Sequence, residues 1–162
     1  MQRFKSILIT FLLLAALIPV KGQLKQEMPP FKIRLTSGAG YTFQEIKSNQ
    51  PVVLIYFDTD CDHCMEFAKE LMKPSYHLAD KQIIWITYQN MEKTLKFDNM
   101  YKISSAPNCK IGSEGYTFVV QKFYNINKFP FVILFNKTHK LEKVLSTSDA
   151  PALLAKQISS FH

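Results

Sequence analysis

The chain has 162 residues, of which 47% are hydrophobic and 20% charged, with 13 Phe and 7 Tyr against 5 Gly. This fits one domain with an address segment, and excludes a chain disordered throughout, a collagen-like repeat or a Gly/Ser linker. Three cysteines are too few for a disulfide scaffold, and a formal net charge of +7 raises the question of nucleic acid.

Arg3 and Lys5 precede an apolar run of 14 residues from Ile7 to Val20. A spanning helix needs about 20. The positive start, the short apolar middle and Gly22 before Gln23 describe a signal peptide over residues 1–22, cleaved on export. An uncleaved anchor is the alternative. Cleavage removes Arg3, Lys5 and Lys21 and no acid, leaving 17 basic against 13 acidic residues, spread without a block. A solvated basic surface is therefore expected rather than a nucleic-acid track. No stable membrane insertion is expected after cleavage. The address makes the protein periplasmic or secreted, where disulfides persist.

Residues 23–36 form an extension with a first strand, in which Phe31, Ile33 and Leu35 alternate with Lys32 and Arg34. Ser37 to Gly40 turns, and Tyr41 to Lys47 is expected to hold one or two helical turns with Phe43 and Ile46 inward. Val52 to Phe57 is a continuous branched and aromatic run, the pattern of a strand buried on both faces. Cys64, Phe67, Ala68, Leu71 and Met72 then make one helical stripe, ended by Lys73-Pro74. Ile83 to Thr87 reads as a buried strand holding Trp85, and Met91 to Tyr101 as a helix packing through Leu95 and Phe97. Ser104 to Gly115 reads as an exposed loop carrying Cys109. Tyr116 to Ile126 reads as a helix with strand as the alternative. Phe129 to Phe135 and Leu141 to Leu145 are strands. The last helix is capped by Ser148-Asp149, starts with Pro151, and has Leu154, Ile158 and Phe161 inside. The order predicts an α/β sandwich: a central mixed β-sheet with helices on both faces.

The chemical signal is Cys61-Asp62-His63-Cys64 at a strand-to-helix junction. A helix start offers unpaired N–H groups and the positive end of the helix dipole, both of which favour a thiolate at the first cysteine. Cys61 is thus the attacker and Cys64, on the inner stripe, the resolver. A purely structural disulfide here would close too small a loop to stabilise much. A zinc site needs four ligands, and His77, His139, His162 and Cys109 are scattered.

Val52–Phe57, Cys61-Asp62-His63-Cys64 and Phe129-Pro130 opening a strand together resemble the thioredoxin-fold superfamily. The leader and the segment Phe31–Gly40 resemble its exported TlpA/ResA-like branch. The resemblance covers residues 31–162 and makes residues 37–162 the thioredoxin-like domain. It implies that Pro130 is cis and stands beside the cysteines, and that Phe129 and Pro130 bind the substrate chain. The implied function is an exported thiol–disulfide oxidoreductase, acting on cysteine-containing protein substrates with a redox recycling partner. It needs no cofactor beyond the Cys61–Cys64 disulfide and no metal.

Some positions depart from the pattern. Ile55 stands where thioredoxins carry a buried acid, Asp60 where they carry Trp, and Phe67 where TlpA/ResA-like reductases often carry Glu. Asp58, Asp60, Glu66 and water are therefore all candidates to take the Cys64 proton. His63 favours a thiolate at Cys61, while Asp62, Asp58 and Asp60 oppose it. His63 and Asp62 set the potential, and the family resemblance tilts the reading toward a reductant. The alternative is a soft-metal carrier that grips Cu(I) through Cys61, Cys64 and His63. A thiol peroxidase is disfavoured because Asp58 stands where Thr is expected, three residues before the attacking cysteine.

Overall fold

The computed structural model describes residues 25–162. The expected signal peptide, residues 1–22, lies outside the described residues. Among those described, no helix is long and apolar enough to cross a membrane.

Seven strands form one mixed sheet in the order β2-β1-β5-β4-β3-β6-β7. They are β1 (Lys32–Leu35), β2 (Gly40–Thr42), β3 (Val52–Tyr56), β4 (Gln82–Thr87), β5 (Cys109–Ser113), β6 (Phe131–Phe135) and β7 (Leu141–Leu145). The central trio β3, β4 and β5 is parallel, and the pairs β1–β2, β1–β5, β3–β6 and β6–β7 are antiparallel. The helices are α1 (Asp62–Leu71), α2 (Met91–Tyr101), α3 (Val119–Tyr124) and α4 (Pro151–Ser159).

Every residue of β3 is buried because its two faces serve two cores. Val53 and Ile55 meet Phe67, Ala68 and Leu71 of α1, Phe97 of α2, and Leu154 and Ile158 of α4. Val52, Leu54 and Tyr56 meet Phe31, Ile33 and Tyr41 on one side and Val120 and Tyr124 of α3 on the other. Helices thus cover both faces, as expected. Each such aliphatic or aromatic side chain contributes about 1.5–3 kcal/mol on burial. Trp85 centres the first core, its ring 5.5 Å from Phe57 and 5.6 Å from Phe67. Its Nε1–H has no hydrogen-bond partner among the described residues. Its apolar contacts must therefore outweigh a cost of about 1–3 kcal/mol.

Four sequence expectations are corrected. Ser104–Gly115 is not an exposed loop: Cys109–Ser113 is β5, wedged between β1 and β4, with Cys109 only 2% exposed. Tyr41 lies on β2, and the short 3-10 turn Phe43–Glu45 that follows leaves Phe43 exposed, because Thr42 and Glu45 cap that turn reciprocally and turn it outward. Leu95 faces solvent on α2, while Thr94 and Phe97 face inward. Ala150, not Ser148 or Asp149, is the N-cap of α4, without a side-chain cap. Asp149 instead accepts from Gln157 Nε2 at 3.1 Å, and Ser148 bonds Ser146.

Candidate active site

β3 delivers the chain to the edge of the sheet, where the turn Asp58–Cys61 closes with the Cys61 N–H on the Asp58 carbonyl at 3.4 Å. Cys61 is the N-cap of α1, in extended conformation, and its Sγ accepts from the Cys64 N–H at 3.2 Å. The sulfur thus occupies the place of a capping oxygen. A donor aimed at it is worth more to a thiolate than to a thiol. Cys61 is half-buried and Cys64 fully buried, and both are free thiols. Burial pushes the Cys64 thiol far up, and the hydrogen bond with Cys61 adds to the shift.

Phe129 and Pro130 arrive from the far side, on the entry to β6. Their peptide bond is cis, and the Phe129 carbonyl accepts from the Cys61 thiol at 3.9 Å. Phe129 is half-buried and packs on both cores. The structure thus brings together Cys61, Cys64, Phe129 and Pro130. Asp62 points outward, exposed on α1. His63 is half-buried, with its Nε2 enclosed and unpartnered among the described residues. Cys109, at the start of β5, is separate from this group, and burial pushes its thiol up to about 12.

A second layer was not foreseen. Tyr88 and Gln89 follow β4 and reach the residue that follows Phe57. The Tyr88 hydroxyl donates to Asp58 Oδ2, and Gln89 Nε2 donates to Oδ1 at 3.0 Å, where the Asp60 N–H adds a bond at 2.9 Å. Burial works against ionisation of Asp58, but these donors outweigh it and hold its carboxyl below the ordinary range. In turn the Asp58 bond, with burial second, pushes the Tyr88 phenol up to about 12. The signal was available in principle. β3 and β4 are parallel neighbours, so the residues just past their C-terminal ends share one edge of the sheet. Tyr88 also packs against Phe129 and Phe118, with ring centroids 6.2 and 5.6 Å away. Lys93 of α2 pairs with Asp60 beside a cavity of about 380 Å³ that Met65 and Phe97 also line. Among the described residues, no three His, Cys, Asp or Glu side chains are grouped to hold a metal ion.

This architecture is the thioredoxin fold, with a Cys-x-x-Cys pair at the end of β3 facing a cis-proline before β6. It is similar to the thioredoxin domain of a thiol-disulfide oxidoreductase from Bacteroides vulgatus, with TM-score 0.64 and 16% identity over 85% of this chain and 100% of that one. A secreted Mycobacterium tuberculosis disulfide oxidoreductase, homologous to E. coli DsbE, aligns with TM-score 0.65 and 16% identity over 82% and 96% of the two chains. The peroxidoxin BcpB of Mycobacterium tuberculosis aligns with TM-score 0.69 and 13% identity over 85% and 96%. No family model and no curated protein matches the sequence.

Proposed function

We propose that the chain is an exported thiol–disulfide oxidoreductase that reduces protein disulfides through Cys61 and Cys64. The observation that carries this is Cys61 Sγ, half-exposed at a helix N-cap and 3.9 Å from the Phe129 carbonyl. A nucleophile stands there beside a backbone edge that an extended client chain can pair with. The Cys61 thiolate attacks one sulfur of a client disulfide, the client S–S bond breaks, and the departing client thiolate takes a proton from solvent. Cys64 gives up its proton and attacks Cys61 Sγ. The mixed disulfide breaks, and a second client thiolate leaves and is protonated. The client has gained two electrons and two protons, and the protein holds the Cys61–Cys64 disulfide. A recycling partner that supplies a dithiol restores the starting state.

One feature supports the reducing direction: burial keeps Cys64 a thiol, so the reduced state is not stabilised by a second thiolate of the kind that makes a dithiol strongly oxidising. The leader Ile7–Val20 supports export to the periplasm or beyond. Among the similar structures, the Bacteroides protein is named a thiol-disulfide oxidoreductase and one Mycobacterium protein a secreted disulfide oxidoreductase.

The test uses the Cys64→Ser variant with disulfide-bonded insulin. A mixed disulfide through Cys61 is expected on non-reducing gels, and none with Cys61→Ser. Absence of the trapped species refutes the exchange mechanism. Equilibration of the wild type with glutathione is expected to give a potential below about −230 mV, and a value near that of DsbA, about −120 mV, overturns the reducing direction.

A further inference from the structure

We propose that the row of rings Phe129, Tyr88, Phe118 and Tyr116 is a client-docking ridge, which takes apolar side chains at alternate positions of an extended client segment whose intervening residues are acidic. The inference rests on the exchange reading and adds to it the kind of sequence that surrounds the client cysteine.

The row starts at the dithiol. The Phe129 carbonyl stands 3.9 Å from Cys61 Sγ, and the Phe129 ring lies 6.2 Å from Tyr88. Tyr88 lies 5.6 Å from Phe118, and Phe118 lies 6.1 Å from Tyr116, measured between ring centroids. Among the described residues no ring contact of these four skips a step, so they form a line and not a cluster. An extended chain rises about 3.3 Å per residue and sends alternate side chains to one face, about 6.6 Å apart. The spacing of the rings matches that repeat. Phe129, Tyr88 and Phe118 are half-buried and Tyr116 is 80% exposed, so burial within the chain does not account for the outer end of the row. Phe118 has φ 51°, in the left-handed region that is costly for a bulky side chain, and strain of this kind collects at binding sites. The Tyr88 ring is held in advance by its hydroxyl bond to Asp58. Charge selects the residues between the apolar ones. Tyr88 and Tyr116 line a cavity of about 570 Å³ together with Lys32 and Arg34, both exposed. Lys122 adds a third cation, 5.7 Å from the Phe118 centroid. None of the three has a carboxylate partner among the described residues. Glu114, in the same lining, is buried and already taken up by the Tyr56 hydroxyl and the Val120 N–H. Acidic client residues alternating with apolar ones therefore meet free cations beside the rings.

The test follows single-turnover oxidation of the reduced protein by two disulfides. One is 2-hydroxyethyl disulfide, which is too small to reach the ridge. The other is the disulfide-linked dimer of a peptide with Phe at the second and fourth positions on either side of its cysteine and Glu between. The ratio of the peptide rate to the small-disulfide rate is expected to fall about tenfold in Tyr116→Ser/Phe118→Gly, since two aromatic contacts are lost. Glycine adopts the backbone of position 118 freely, so the variant relieves strain rather than adding it. Replacing the peptide's Phe by Ser is expected to lower the wild-type ratio by a similar factor. Replacing its Glu by Lys is expected to lower it too, most at low salt. Leu153→Ser, which removes an exposed apolar side chain on α4, is expected to keep the ratio. An unchanged ratio in the double variant overturns the proposal, as does equal reaction with the Ser or Lys peptide, or an equal fall in Leu153→Ser. Binding is also read without exchange, in Cys61→Ser/Cys64→Ser with the Phe peptide carrying Ser in place of its cysteine. That peptide is expected to shift the Tyr116 and Phe118 ring resonances in NMR spectra, and unshifted rings overturn the proposal. Shifted rings with no oxidation by either disulfide strike the exchange reading alone.

Discussion

Gly112 on β5 lies opposite Leu35 of β1, and a Cβ built there stands 2.4 Å from the Arg34 carbonyl oxygen, 2.9 Å from its carbon and 3.1 Å from Leu35 Cα. All three are backbone atoms of the neighbouring strand, so no rotamer change relieves the contact. Restoring an ordinary separation requires β1 to retreat by about 1 Å, in an interior packed as densely as a crystal. The retreat stretches the Thr36 N–H bond to the Ile111 carbonyl, now 3.1 Å, and loosens Phe31 and Ile33 in the second core. Overpacking of this kind costs about 1–3 kcal/mol. Gly112→Ala is therefore expected to destabilise by about 2 kcal/mol and to lower Tm by about 6–8 °C. Gly40 provides the control, since a Cβ there meets nothing within 4 Å. Gly40→Ala is expected to be neutral or to stabilise by up to about 1 kcal/mol. Urea unfolding of the reduced proteins measures both. A Gly112→Ala cost within about 0.5 kcal/mol of Gly40→Ala would falsify the steric reasoning.

Iodoacetamide at pH 7.5 is expected to leave Cys109 unmodified in the folded chain and to label it in urea. A thiol held at about 12 is ionised roughly a thousandfold or more less often than a free cysteine, and intact-mass mapping that finds native Cys109 labelled as fast as Cys61 contradicts this. Partial burial opposes ionisation of Asp80, but its bonds to the buried Lys81 ammonium and to His162 prevail and hold the carboxyl at about 2. Its contribution, about 1 kcal/mol after solvent screening, is complete above the unfolded value near pH 4 and is lost as pH falls toward 2. Asp80→Asn is expected to flatten that part of the acid limb of urea-measured stability, and an unchanged limb contradicts the assignment.

Most of the fold could be read from runs that solve their own burial problem. Val52–Phe57 is apolar throughout because both its faces meet cores, and α1 shows its stripe because one face is wet. β5 was hidden because Cys109-Lys110-Ile111-Gly112-Ser113 carries little apolar surface of its own. It is buried by its position between β1 and β4, and a long-range pairing of that kind leaves no local periodicity. At the site, the cysteines and the Phe129-Pro130 pair were legible because the chemistry restricts residue type at fixed spacing. Tyr88 and Gln89 were not, since a Tyr-Gln after a strand carries no pattern until the parallel partner is known. Position 43 misled because a capped turn overrode a hydrophobic side chain.

The register of the parallel strands has a consequence for oxidation chemistry. Three cysteines permit three pairings, and random closure would yield the wrong one twice in three. Cys109 is aligned with Ile83, and Ile83 with Val53, whereas the dithiol follows Tyr56 three rows further on and two strands across. At about 3.3 Å per row and about 4.8 Å per strand, Cys109 lies beyond the roughly 7 Å that a disulfide tolerates between Cα atoms. An oxidant meeting the folded chain therefore has one bridge to make, and scrambling requires the sheet to come apart first.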